Sequence, residues 1–184
     1  MSAEAVGRHM PAIATLDDLV AMSAADPHGH RYETSPEGVL SVMPPPDYGH
    51  AVIATRIMLW LAAAGWPADQ LTQAVGLRIP GPDGRVGGRI PDLVVWAKAQ
   101  ASAVWLSADD VLLVVEIISP GSEAADTVAK RHEYAAAGVP QYWTIGRDAA
   151  QTVTMYQLAG NEYQARAETP LAWVLNTQAT NYLG

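Results

Sequence analysis

Two carboxylates interrupt otherwise apolar stretches of this chain: Asp92 in "IPDLVVW" (90–96) and Glu116 in "VLLVVEIISP" (111–120). An unpaired carboxylate in a buried strand costs several kcal/mol or gives up its charge, so each needs compensation. If the two strands are neighbours, the carboxylates meet at one sheet edge, where they repel each other unless a cation or a proton lies between them. Hard oxygen ligands of this kind suit Mg²⁺ or Mn²⁺, whose remaining positions go to water and substrate phosphate. The bland alternative for either acid alone is pairing with Arg, helix capping or solvation. Two acids in matching contexts, followed by a helix carrying Lys130, shift the balance toward a shared site.

The elements that must position them follow from the pattern. "DLVVWA" (92–97) and "VLLVVEII" (111–118) are apolar on both faces, as expected of strands in the middle of a sheet covered on both sides. "SEAADTVAKRHEYAAAG" (122–138) reads as a helix capped by Ser122 and closed by Gly138. Upstream, "TLDDLVAMSA" (15–24) reads as a short helix, with Thr15 as N-cap and Asp18 at the capping-box position, where Asp is the weaker choice. "RYETSPEGVLSVMPPP" carries two strand-like pieces around the turn "SPEG". Asp47 can cap a longer helix whose apolar face is Val52, Ile53, Ile57, Leu59, Trp60 and Leu61, ending at Gly65. "QLTQAVGLRI" reads as one strand, and "QYWTIGR", "TVTMYQL" and "EYQARA" as three more; the tail from Leu171 is ambiguous. Residues 1–14 read as a loose arm and 15–184 as a single domain.

Composition bounds the rest. The 184 residues are 49% hydrophobic, enough for one sizeable core. There is no cysteine, which excludes disulfides and thiolate metal sites. No apolar run approaches the ~20 residues of a membrane helix, and the N-terminus lacks the layout of a secretory signal. A soluble cytoplasmic protein is the expectation. The net charge of −8 gives no general attraction to nucleic acid, so a phosphate substrate would need local positive charge or bound metal. No Walker-type glycine loop, nucleophile elbow or zinc-hydrolase helix motif is present.

"PDLVVW", followed by "LLVVEIISPGSEAADTVAKRHEYAAAGVPQYW", resembles the Uma-two family of bacterial restriction endonucleases, within the PD-(D/E)xK nuclease superfamily. The resemblance covers roughly residues 15–160, and its specificity lies in the ordered elements "E-x-x-SPGS", "K-x-x-x-Y" and "AAAGVPQYW". It implies an α/β (α+β) restriction-endonuclease-like fold, a central mixed sheet flanked by helices, and a Mg²⁺-dependent (or Mn²⁺-dependent) phosphodiesterase acting on nucleic acid, DNA in the first place. It also implies Asp92 and Glu116 as metal-binding acids and the Ile117 main-chain carbonyl as a third ligand. The superfamily pattern expects Lys two residues after the acid, where this chain has Ile118. The resemblance then points to Lys130 on the following helix, which could orient the attacking water or steady the phosphate. The plain alternative is a surface pair with Asp126 at i−4.

Glu33, in "RYE", matches an acid of the family and is either an outer metal ligand or a partner of Arg31 or Arg89. His50 also matches a family position and is either part of the outer shell or a helix-terminus hydrogen-bonder. "HGH" (28–30) reads as a loop, Tyr134 as a packing residue, and Arg131 and His132 as phosphate contacts or solvated surface. A homodimer is expected, because enzymes that cut both strands often work as two-fold pairs, and because Trp60, Trp66, Trp105 and Trp173 add apolar material beyond one small core. The competing class is a catalytically silent nucleic-acid- or protein-binding module on the same fold.

Overall fold

The computed structural model describes residues 14–119 and 125–183. The arm read over 1–14 therefore lies outside the described residues except for its last position, and Ser122 lies outside them as well. Helix α1 (Leu16–Ala25) opens with the expected capping box: the Asp18 N–H donates to Thr15 Oγ1, and the Thr15 N–H donates to Asp18 Oδ2. Strands β1 (Arg31–Thr34) and β2 (Leu40–Met43) form an antiparallel hairpin around the "SPEG" turn. Helix α2 (Tyr48–Ala63) starts at Asp47, whose carboxylate accepts from the His50 N–H at 2.9 Å, and stops before Gly65, whose φ of 97° few other residues adopt.

The chain continues through β3 (Leu71–Thr72), β4 (Gly76–Pro80), β5 (Val86–Arg89), β6 (Leu93–Trp96), β7 (Trp105–Ser107) and β8 (Val111–Ile117). Helix α3 begins as a π-helical turn (Ala125–Ala129), continues as an α-helix (Lys130–Ala136) and is closed by Gly138 at φ 75°. Strands β9 (Gln141–Ile145), β10 (Thr152–Ala159) and β11 (Glu162–Pro170) and two short helices, α4 (Leu171–Leu175) and α5 (Thr180–Leu183), complete it.

The strands fall into two mixed sheets, ordered β2-β1-β5-β4-β7 and β11-β10-β9-β8-β6-β3. In the larger one, β8 pairs antiparallel with β6 and parallel with β9, so the two most apolar strands are interior, as their composition predicts. One face of these strands (Leu93, Val95, Leu113, Val115, Ile117) packs on Ile53, Ala54, Ile57 and Leu61 of α2. The other face (Val94, Trp96, Val114) packs on Tyr134 of α3 and on Leu77 and Ile79 of the smaller sheet.

Three expectations are corrected. "QLTQAVGLRI" is not one strand: Ala74 adopts φ 52°, and the pieces on either side of it join different sheets. Leu59 is 65% exposed, and His50 and Ala54 take places on the core-facing side of α2. Trp60 and Trp66 pack against the main core, and the Trp105 indole donates to the Leu16 carbonyl, so of the four tryptophans only Trp173 is well exposed. Strands β5 and β7 carried no readable signal. In β5, Gly87 and Gly88 are required: a Cβ on Gly88 would come within 2.6 Å of Leu16 and 2.7 Å of Trp105.

Leu113 is fully buried on the face toward α2. Leu113→Ala should cost about 2–5 kcal/mol, read as a lower urea midpoint at unchanged slope.

Candidate active site

A cavity of about 490 Å³ opens where the hairpin, the start of α2 and the ends of β6 and β8 converge. Asp92, Glu116, Ile117, Lys130 and His50 all border it. The register explains why the acids meet there. Leu93 pairs with Val115 across the antiparallel β6–β8 ladder, so Asp92 and Glu116 are the next opposed positions.

Asp92 is nearly buried and held from three directions. Its Oδ2 accepts from the Ile117 N–H at 2.8 Å; Oδ1 accepts from Arg31 Nη1 at 3.0 Å and lies 3.0 Å from His50 Nε2. Burial pushes the Asp92 carboxyl up, but the His50 hydrogen bond and charge, the Arg31 guanidinium and the Ile117 N–H together hold it below the usual range. Asp92 is therefore ionised at neutral pH.

Glu116 is compensated from α3. Lys130 Nζ and the Tyr134 hydroxyl, one helical turn apart on the same face, donate to its Oε1 at 3.0 and 2.8 Å. Burial, then the charges of Glu116 and Glu33, push the Tyr134 phenol well above its ordinary value, so it serves as a neutral donor. Lys130 is 3% exposed, which rules out a solvated surface role; the Asp126 side chain lies outside the described residues.

Glu33 is fully buried behind this pair. It accepts from the Ile90 N–H at 2.7 Å and from Arg89 at 3.2 Å, with Lys130 Nζ 3.5 Å away. Of its two candidate partners, Arg89 is the one engaged; Arg31 goes to Asp92 instead. Arg89 in turn grips Glu133 with both Nε and Nη2 at 2.6 Å. Among the described residues, four carboxylates (Glu33, Asp92, Glu116, Glu133) thus alternate with Arg31, Arg89, Lys130 and His50 around the cavity.

The donor set fits Mg²⁺ on chemical grounds: this ion takes one or two protein carboxylates and completes its shell with water and substrate oxygens. No group of three or more His, Asp or Glu suited to a metal occurs among the described residues. The "HGH" loop is not a ligand set; His30 is tied to Asp26. Arg131 lies over the Tyr156 ring, away from the cavity. Sequence reasoning missed the Tyr134 hydroxyl, although the K-x-x-x-Y spacing carried that signal. It also missed Arg31 as a partner of Asp92, and Arg147 at the cavity edge, for which no local signal exists.

A family model named Uma2 and described as "Putative restriction endonuclease" matches residues 16–180. Among solved structures, the chain is similar to a protein from Anabaena variabilis described as a "putative nuclease belonging to DUF820", with 18% identity, 83% of each chain covered and a TM-score of 0.61. That likeness bears on the fold, which is restriction-endonuclease-like. No curated protein matches the chain. No helix among the described residues is long and apolar enough to cross a membrane.

Because the folded-state pKa of Asp92 lies below its unfolded value, its contribution to stability is complete above the unfolded aspartate value of about 3.9 and is lost as pH falls through the folded value. In chelator-treated protein, the stability gap between wild type and Asp92→Asn should narrow as pH drops below ~4. A gap that stays constant across that range in pH-resolved thermal melts would contradict the assignment.

Proposed function

Since the chain belongs to the Uma2 family, we propose that it is a metal-dependent endonuclease hydrolysing phosphodiester bonds of nucleic acid, DNA in the first place. The observation that carries this reading is the convergence of Asp92, Glu116 and Lys130 on one cavity. Asp92 and Glu116, with the Ile117 carbonyl, would hold Mg²⁺ or Mn²⁺. When bound, such an ion lowers the pKa of a coordinated water and offsets charge on the phosphoryl oxygens. The protein's own groups do the rest. His50 and Arg31 fix the orientation of Asp92; Tyr134 fixes that of Glu116. Lys130 carries a positive charge to the strand ends, where it can orient a water or steady the charge developing on the phosphate. Glu33 and His50 act from behind these groups.

One observation favours the silent-module reading: Glu116 Oε1 already accepts two hydrogen bonds. The two readings separate in one experiment, in which duplex DNA, single-stranded DNA and RNA are incubated with Mg²⁺, Mn²⁺ or chelator. Metal-dependent cleavage abolished by Asp92→Ala supports the enzyme. Nucleic-acid binding without cleavage under any metal, and without calorimetric heat on adding Mn²⁺, establishes the binding module instead. Lys130→Met should lower the cleavage rate by ~10²-fold or more while Mn²⁺ affinity holds or rises.

We further propose a cytoplasmic homodimer. Tyr48, Leu59 and Trp173 are exposed apolar side chains available to an interface, which should bury more than ~1,000 Å² in total. Light scattering showing only monomer at micromolar concentration would refute it.

A further inference from the structure

A chain of net charge −8 has no general attraction for a polyanion, so a nucleic-acid backbone must be caught locally. Three cations line the cavity: Arg31, Lys130 and Arg147. Lys130 is already paired with Glu116 and Glu33 at the inner end of the cavity and is 3% exposed, so it is not the group that first meets a strand from solvent. The two arginines differ from it. Their side chains are 20% and 29% exposed, which puts them at the rim. Arg31 spends Nη1 on Asp92, and its Nε is buried without a hydrogen-bond partner among the described residues. His50, on the same cavity and 4% exposed, likewise keeps a buried Nδ1 without a partner. Two of the three buried nitrogens without a partner among the described residues therefore belong to residues of this cavity, the third being Trp143 Nε1 elsewhere.

Arg147 follows β9 and meets the start of α2. Its Nη1 and Nη2 donate to the two oxygens of Asp47 at 2.8 and 3.0 Å. This is the fork geometry with which arginine also grips a phosphate. Asp47 is 57% exposed, and an exposed ion pair of this kind contributes little net stability, so an incoming phosphate displaces it readily. Gly49 preserves the space: a Cβ there would meet Arg147 Nη2 at 3.1 Å.

We propose that Arg147 and Arg31 form a clamp at the cavity rim for a phosphodiester of the nucleic-acid strand, with Asp47 occupying the Arg147 fork until the phosphate replaces it. The proposal rests on the nuclease reading of the same cavity and adds the groups that bind substrate there. The competing role for the Arg147–Asp47 pair is a tie between the β9–β10 turn and α2, with no part in binding.

The test measures binding, not cleavage: fluorescence anisotropy of a short labelled duplex DNA, and of single-stranded DNA and RNA of the same length, across a salt series in chelator. Arg147→Gln should weaken binding by at least about fivefold at low salt and reduce the salt-dependence slope by about one. Asp47→Asn keeps an N-cap residue for α2 but removes the competing charge, and should tighten binding severalfold. Misfolding cannot produce a gain, so this second variant guards the first. If wild type binds and both variants match it in affinity and slope, the clamp is overturned and the nuclease reading stands. If wild type binds none of the three nucleic acids, with or without metal, both fall together.

Discussion

Burying Glu116 is the constraint around which this molecule is arranged. A carboxylate on an interior strand must find positive charge and hydrogen-bond donors or lose its ionised form. Here both come from one face of α3, as Lys130 and Tyr134. That demand fixes how α3 lies on the sheet, and it passes outward. Lys130 is drawn between Glu116 and Glu33, Glu33 requires Arg89, and Arg89 requires Glu133. Removing one partner from such a buried set typically costs about 3–5 kcal/mol, because the charge left behind has no other compensation. The network is weak evidence of net stabilisation and strong evidence of a specified geometry.

The same chain of dependence ties the two sheets together. Glu33 comes from β1 and Arg89 from β5, both in the smaller sheet, whereas Glu116 belongs to the larger one. Asp92 repeats the arrangement, joining the end of β8 through the Ile117 N–H to Arg31 on β1 and His50 on α2. The apolar layers supply most of the burial on both faces of the larger sheet, and the ionic groups link the layers where they meet. Their meeting point is also the cavity, so the groups that specify the packing are those able to act on a ligand.

Much of this was legible in the sequence. The apolar runs over 92–97 and 111–118 pointed to interior strands, since an amphipathic surface strand alternates and these do not. The acid in each run was visible directly, whereas Lys130 on the next helix was singled out by the family resemblance. The caps at Thr15 and Asp47 followed from spacing, because capping is a contact between residues three apart. Local chemistry of this kind is written in local sequence.

What the tertiary structure alone decided concerns pairs far apart in the chain. Arg31 lies 61 residues from Asp92, and Arg147 lies 100 from Asp47; no periodicity or spacing encodes which of several arginines reaches which acid. The division of the strands between two sheets was equally hidden, because it turns on a single left-handed residue, Ala74, and on the glycine pair of β5, whose lack of side chains reads locally as a turn. Those glycines are needed because of what arrives from elsewhere: the backbone of Thr34–Pro36 lies against Gly87, and Leu16 and Trp105 lie against Gly88. The sequence determined which groups had to be compensated, since burial makes that demand wherever the partner comes from. The fold decided the partner, since only three-dimensional packing sets the distances over which charge and hydrogen bonds act.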